Sequence, residues 1–181
     1  GFLTQVTMVP ELNLGIIVFT NQQSSEAFVS VTNTILDKYF KVEGKDRIAE
    51  NLERLNISLS EAEKVISDVN SVVGSARVKI DKDYLKSFCG SYRDNWLGIV
   101  KIEQDGDNLK FVSARSPKLS GEMRYYKGNT FIVKWYDRSF DADAFVMFTL
   151  NNQGLPNGFT MKAISPLTDF SYDFHDLLFI R

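Results

Sequence analysis

The 181-residue chain has one cysteine, one histidine and four prolines. A lone Cys89 excludes an intrachain disulfide and a cysteine-rich metal site, and it reads as a small apolar filler of the core. A lone His175 excludes a histidine cluster for zinc. No apolar stretch approaches the ~20 residues of a membrane span. The longest, from Leu14 to Phe19, is of strand length. The formal net charge is −2, which argues against nucleic acid as a partner, because phosphate binding needs clustered Lys and Arg. Asp137, Asp141 and Asp143 resemble a calcium loop in charge only. They lack the glycine and the bidentate glutamate at the required spacing, so a solvated turn with Arg138 as counter-charge is expected. Nothing in these residues calls for a metal or a cofactor.

What the chain does have begins at its first residues. Phe2 to Asn21 reads as two strands joined by a Pro10-Glu11-Leu12-Asn13 turn. A two-stranded hairpin is marginal on its own, so it needs a neighbour: another chain, or sequence preceding Gly1. Its edges suit strand addition or a homodimer formed through Phe2–Asn21. Ser24 or Ser25 can cap a following helix. Ala27, Phe28, Val31, Ile35 and Tyr39 recur at three- and four-residue steps and predict one apolar stripe ending near Phe40, with Gly44 as the stop. Residues 1–44 form the first segment.

Residues 45–80 read as a helical connector. Ile48, Leu52 and Leu55 make a short face. Ser58-x-x-Glu61 or Ser60-x-x-Glu63 offers a capping box for a second helix. That helix carries Ala62, Val65, Ile66, Val69, Val72 and Val73 and ends near Gly74.

Residues 81–181 change character, holding 18 of the 23 Phe, Trp and Tyr residues. The period falls to two after a helical turn at Asp83–Phe88. Strands are predicted around Tyr92 and at Leu97–Gln104, Asn108–Ala114, Gly121–Tyr126, Thr130–Tyr136, Ala144–Leu150, Gly158–Ile164 and Tyr172–Ile180. Gly106, Gly128 and Gly154 mark turns between them. Eight short antiparallel strands favour a closed up-and-down barrel, since closure removes exposed edges. The fold class is therefore α+β: an N-terminal β-hairpin and helices followed by an eight-stranded antiparallel barrel. Such a barrel either fills its own interior or holds one small apolar ligand. Trp96 and Trp135 suit a barrel rim, where an indole N–H finds a partner. Tyr125 and His175 complete the candidate ligand or partner contacts at the mouth. On a strand, Asp173 would share a face with His175 and Asp176 would point away.

The run Phe2-Leu3-Thr4-x-Val6-x-Met8-Val9-Pro10-Glu11-x-Asn13-Leu14-Gly15-Ile16-Ile17-Val18-Phe19-Thr20-Asn21 resembles the end of the catalytic domain of serine beta-lactamase-related proteins, which include penicillin-binding proteins, class C beta-lactamases, esterases and D-aminopeptidases. The helix at Ser24–Phe40 fits the last helix of that domain. Tyr84-Leu85-x-x-Phe88-Cys89-Gly90-x-Tyr92 and the closing Phe174-His175-Asp176-Leu177-x-Phe179-x-Arg181 are similar to a small lipocalin-like domain found behind many such hydrolases. The resemblance implies the non-catalytic C-terminal part of an exported serine hydrolase, periplasmic or extracellular, whose partner is an upstream catalytic domain of the same polypeptide. It carries over no catalytic residue. The sequence contains no Ser-x-x-Lys nucleophile pair, no Tyr-x-Asn or Ser-x-Asn, and no Lys-Thr-Gly or His-x-Gly.

Overall fold

The computed structural model describes residues 2–75, 81–172 and 174–181. Gly1, Asp173 and the expected boundary at residue 80 lie outside the described residues. Two compact units, Gly1–Glu61 and Ala62–Arg181, divide the chain.

In the first unit, β1 (Leu3–Val9) and β2 (Leu14–Thr20) pair antiparallel in unbroken register, with Val6 opposite Ile17 and Thr4 opposite Phe19. Pro10 opens a 3-10 turn, and Asn13 closes it in the left-handed region at φ 47°, a conformation Asn tolerates better than most residues. The helix α1 (Ser25–Phe40) packs on one face of this ribbon, where the Thr32 hydroxyl donates to Gln5 Oε1 at 2.8 Å. The helix stops earlier than Gly44: Lys41 turns left-handed at φ 56° and its N–H closes on the preceding carbonyls. The apolar stripe is only half used, since Val31 and Tyr39 are exposed. Ser24 sits at the cap position, but its hydroxyl donates to the Glu26 carboxylate at 2.9 Å.

The connector differs from its predicted form. A single helix, α2 (Arg47–Ser75), runs through it without a break at Ser58–Ser60. Asp46 caps its start, accepting from the N–H groups of Ile48 and Ala49 at 3.1 and 2.9 Å. Arg47 then binds Asp37 at the end of α1 through two hydrogen bonds of 2.7 and 3.1 Å. This contact holds the Asp37 carboxyl below its ordinary range.

The second unit is the barrel. After α3 (Lys82–Ser87) come β3 (Gly90–Asp94), β4 (Gly98–Asp105), β5 (Asn108–Ser113), β6 (Ser120–Lys127), β7 (Thr130–Trp135), β8 (Ala144–Leu150), β9 (Pro156–Ala163) and β10 (Leu178–Ile180). Each pairs with its sequence neighbour, and β10 closes the ring on β3 through Ile180 opposite Arg93. The two-residue turns carry Gly106 (φ 62°) and Gly128 (φ 55°) at the first central position, where a hairpin twist favours glycine. Gly121 is needed for space, because a Cβ there would lie 2.3 Å from the Lys134 carbonyl oxygen. The last predicted strand is the main departure. Residues 170–172 and 174–176 form 3-10 turns, and only Leu178–Ile180 joins the sheet. Their tight turns bury Phe174 and Leu177 under the end of the barrel, which an extended chain would carry past it.

Alternation along every strand sends one set of residues inward. Outside the barrel, Val69 of α2 packs on Ile132 and Ile164, with Val73, Tyr126 and Phe145 beside them. Lys134 Nζ donates to Asn70 Oδ1 at 2.7 Å on the same patch. Among the described residues no helix is long and apolar enough to cross a membrane.

Candidate functional site

The barrel interior is occupied by its own side chains. Tyr92, Phe111, Phe131, Phe148, Phe159 and Phe179 are all at most 1% exposed. Their rings meet edge to face across the axis, as Phe88 and Phe148 do at 4.8 Å and Phe111 and Phe159 at 6.2 Å, while Phe159 stacks on Phe179 at 4.2 Å. The buried Tyr92 hydroxyl donates to the Phe88 carbonyl at 2.8 Å. Burial pushes its pKa up to about 12. This ring packing favours a self-filled core over a ligand chamber.

Because consecutive strands alternate in direction, the barrel has two distinct ends. At one end lie α3 and the turns at 106–107, 128–129 and 151–155. Here α3 acts as a plug. Tyr84 donates to the Gly128 carbonyl at 3.0 Å, and Phe88 packs on Phe131 at 5.0 Å. Arg181 binds the carbonyls of Ser87, Cys89 and Pro156 at 3.0, 2.8 and 3.3 Å. Tyr125, on Phe131 at 5.7 Å, belongs to this plugged end.

The opposite end carries the longer connections, 95–97, 114–119, 136–143 and the 3-10 turns before β10. Trp96, Trp135 and His175 come to this end, so the fold separates them from Tyr125. Trp96 is exposed on the β3–β4 turn, where Arg115 donates to its carbonyl. Trp135 is not at the rim. It is 1% exposed, its ring meets Phe111 at 5.2 Å, and its Nε1–H donates to the Ala142 carbonyl at 2.7 Å. The 136–143 loop folds back and supplies inside the protein the acceptor that a rim position would have found in water. His175 is exposed, and Asp176 lies 3.5 Å from its Nε2 instead of on an opposite face. A 3-10 turn brings neighbours together that a strand would separate. Asp173 lies outside the described residues.

The acidic loop is held by its own contacts. Arg138 grips Asp143 through two bonds of 2.8 and 3.1 Å, and Asp137 accepts from Ser139. Among the described residues no group of three or more His, Cys, Asp and Glu side chains is placed to hold a metal. Beside it, a cleft of about 270 Å³ is lined by Met161, Lys162, Phe170, Tyr172, Phe174 and His175, with smaller loop residues completing it.

Asp94 escaped the sequence reading, although Asp94-x-x-Leu97-Gly98 is a legible turn signal. The residue is 6% exposed, and its carboxylate accepts from the N–H groups of Trp96 and Leu97, both at 2.7 Å, and of Leu178 at 2.9 Å. It thereby ties the Trp96 turn to the start of β10. Burial is the largest single influence on its pKa and opposes ionisation. The backbone donors of Leu97, Leu178, Trp96 and Asn95 together outweigh it, so the pKa lies below the ordinary value. A depressed carboxyl contributes stability above the unfolded pKa of about 3.9, and this is lost as pH falls through the folded value. Urea unfolding followed from pH 7 to pH 2 is expected to show that loss, and Asp94→Asn is expected to flatten it. Asp94→Ala orphans buried N–H groups and is expected to cost about 1–3 kcal/mol at neutral pH.

The first unit presents a different surface. Among residues 2–61, Ile16 is the one buried apolar side chain; the other buried side chains are Ser24, Ser30, Thr32 and Asn51. The ribbon face turned away from α1 carries Val6, Met8, Ile17 and Phe19, exposed by 55, 76, 60 and 78%. Among the described residues, neither outer strand edge has a β partner. Such an edge beside an apolar face is a template for further strands.

A family profile described as a domain of unknown function (DUF3471) matches residues 75–181. That span takes in the whole barrel and more than half of the chain. No curated protein matches the chain, and no solved structure does.

Proposed function

The chain belongs to the DUF3471 family, and from that premise we propose that it is the non-catalytic C-terminal part of a beta-lactamase-related serine hydrolase of the penicillin-binding-protein, esterase or D-aminopeptidase type. The observation that carries this reading is the first unit, a ribbon and helices with almost no apolar core. Sixty residues that leave Phe2, Met8, Ile17 and Phe19 in water forgo about 1.5–3 kcal/mol for each side chain that a partner would bury. A catalytic domain whose sheet continues from β1 or β2 and whose body lies on the uncovered face supplies that burial. The sequence resemblance of residues 2–21 points to the same domain. The barrel, self-filled and closed, then acts as an accessory body that shapes access to the catalytic site or offers a surface to substrate or a partner. The setting is an exported protein.

The test is the genomic reading frame that contains these residues. Expressed whole, it is expected to encode Ser-x-x-Lys upstream, to be labelled on that serine by a fluorescent penicillin, and to hydrolyse an ester, a D-aminoacyl amide or a beta-lactam. Removing residues 81–181 from it should change KM more than kcat. Labelling of the 181-residue chain by itself, or a reading frame without the serine–lysine pair, would overturn the reading.

A further inference from the structure

The outer wall of the barrel is not uniform. On β6 and β7 the outward cations are engaged: Arg124 binds the Glu122 carboxylate at 2.9 Å, and Lys134 binds Asn70. On β3 and β4 they are not. Ile180 of β10 pairs with Arg93, and Arg93 with Ile99, so these three side chains form one outward row. Leu178 and Lys101 stand two residues along the strand from Ile180 and Ile99 and face the same way. Ile99, Leu178 and Ile180 are 42, 55 and 60% exposed. Arg93 and Lys101 are exposed as well, and among the described residues neither has a hydrogen-bond or ion-pair partner. Asp94 faces inward, so the first outward carboxylate on β3 or β4 is Glu103, one position beyond Lys101. Trp96 is 59% exposed on the β3–β4 turn, whose backbone Asp94 and Arg115 hold through the Trp96 N–H and carbonyl.

We propose that this wall, formed by β10, β3 and β4, docks on an anionic lipid surface. Charge complementarity selects the occupant. A guanidinium without a partner, set between two aliphatic side chains, fits a phosphate diester, whose oxygens accept two parallel N–H bonds. Beside it Ile99, Leu178 and Ile180 enter the boundary between head groups and acyl chains, and an indole on a held turn suits the head-group level. Shape favours the same occupant. The wall of a closed barrel is convex, which a fluid lipid surface accommodates, whereas a folded protein partner would need a matching hollow. The carboxylates of the 136–143 loop and of the 3-10 turns sit at the barrel's end, not on this row. With two unpaired cations, each contributing about fivefold to affinity for an anionic membrane, the attachment is peripheral and reversible. It rests on the barrel alone and stands whether or not a catalytic domain precedes the chain.

Flotation of the full chain with phosphatidylcholine vesicles containing about one third phosphatidylglycerol is expected to show binding at low salt. Pure phosphatidylcholine vesicles are expected to bind at least about tenfold less. Arg93→Ala with Lys101→Ala is expected to weaken binding to the anionic vesicles about 25-fold, twice the single-cation factor on a logarithmic scale. Both positions are exposed, so far-ultraviolet circular dichroism should not change. Binding is expected to shift tryptophan emission to the blue, and Trp96→Phe should remove the shift, since Trp135 is already buried. Ile17→Glu with Phe19→Glu, on the apolar ribbon face, should leave the binding intact. Failure to bind anionic vesicles would overturn the proposal, even if a soluble peptide of alternating Glu and Leu bound the row instead. So would binding that survives the Arg93 and Lys101 changes, or binding lost with the ribbon pair.

Discussion

Native-state hydrogen exchange of the isolated chain is expected to resolve two separate stabilities. Amides of β1, β2 and α1 should exchange through local opening, at least about 10³-fold faster than those of β4 to β9. That ratio follows from a barrel stability of at least about 5 kcal/mol at 1.4 kcal/mol per tenfold, set against a first unit that opens at little cost. The physical basis is the distribution of burial. Apart from Ile16, the fully buried apolar side chains all lie beyond residue 61. Fixing each residue of the first unit costs about 1–2 kcal/mol of backbone entropy, and a ribbon with one helix on one face recovers little of it. The Asp37–Arg47 pair and the Thr32–Gln5 bond give the unit a definite arrangement but do not replace a core. Uniform, barrel-like protection of residues 3–40 in the isolated chain would contradict this account, and with it the main support for a covering domain.

The second large effect is expected within the barrel. Phe148→Ala should destabilise the barrel transition by about 3–5 kcal/mol, and thermal unfolding should fall by at least roughly 12 °C. Phe148 touches Phe88 of the plug, Tyr92, Phe131 and Phe159 at ring separations of 4.8 to 5.7 Å. Truncation leaves a cavity between elements that cannot close on it, because the ring of hydrogen-bonded strands fixes the diameter. The same change at Phe19, on the uncovered ribbon face, should alter stability of the isolated chain by no more than about 0.5 kcal/mol. Calorimetry of the two variants reads the contrast directly. A small effect at Phe148 would mean that the interior is loosely filled, and would return the barrel to consideration as a ligand container.

Much of the fold was legible along the chain. Strand β8 was predicted at its observed limits, and the other strands from β4 to β9 fall within two residues of theirs. Alternation and turn glycines act over two to four residues, so they survive whatever the rest of the chain does. Two segments depart from this local reading. Ser58 and Ser60 look like caps, yet they sit inside α2, which runs through both without a break. Residues 172–177 look extended, but burying Phe174 and Leu177 beneath the barrel end is worth more than extending the strand. There a tertiary contact outweighed a local preference of a few tenths to one kcal/mol.

The candidate site was less legible. Trp96, Trp135, Tyr125 and His175 were grouped by residue type, but only closure of the sheet assigns each strand end to one mouth or the other. Closure placed Tyr125 under the plug, drew Trp135 inside against Ala142, and left Trp96 outside on a turn that Asp94 holds. By itself the sequence determined the eight strands, their order and the absence of a catalytic serine–lysine pair, because those are properties of neighbouring residues. The tertiary structure alone decided which side chains share an end of the barrel, and that the first sixty residues lack an interior. Burial depends on what arrives from far along the chain, and no local pattern records it.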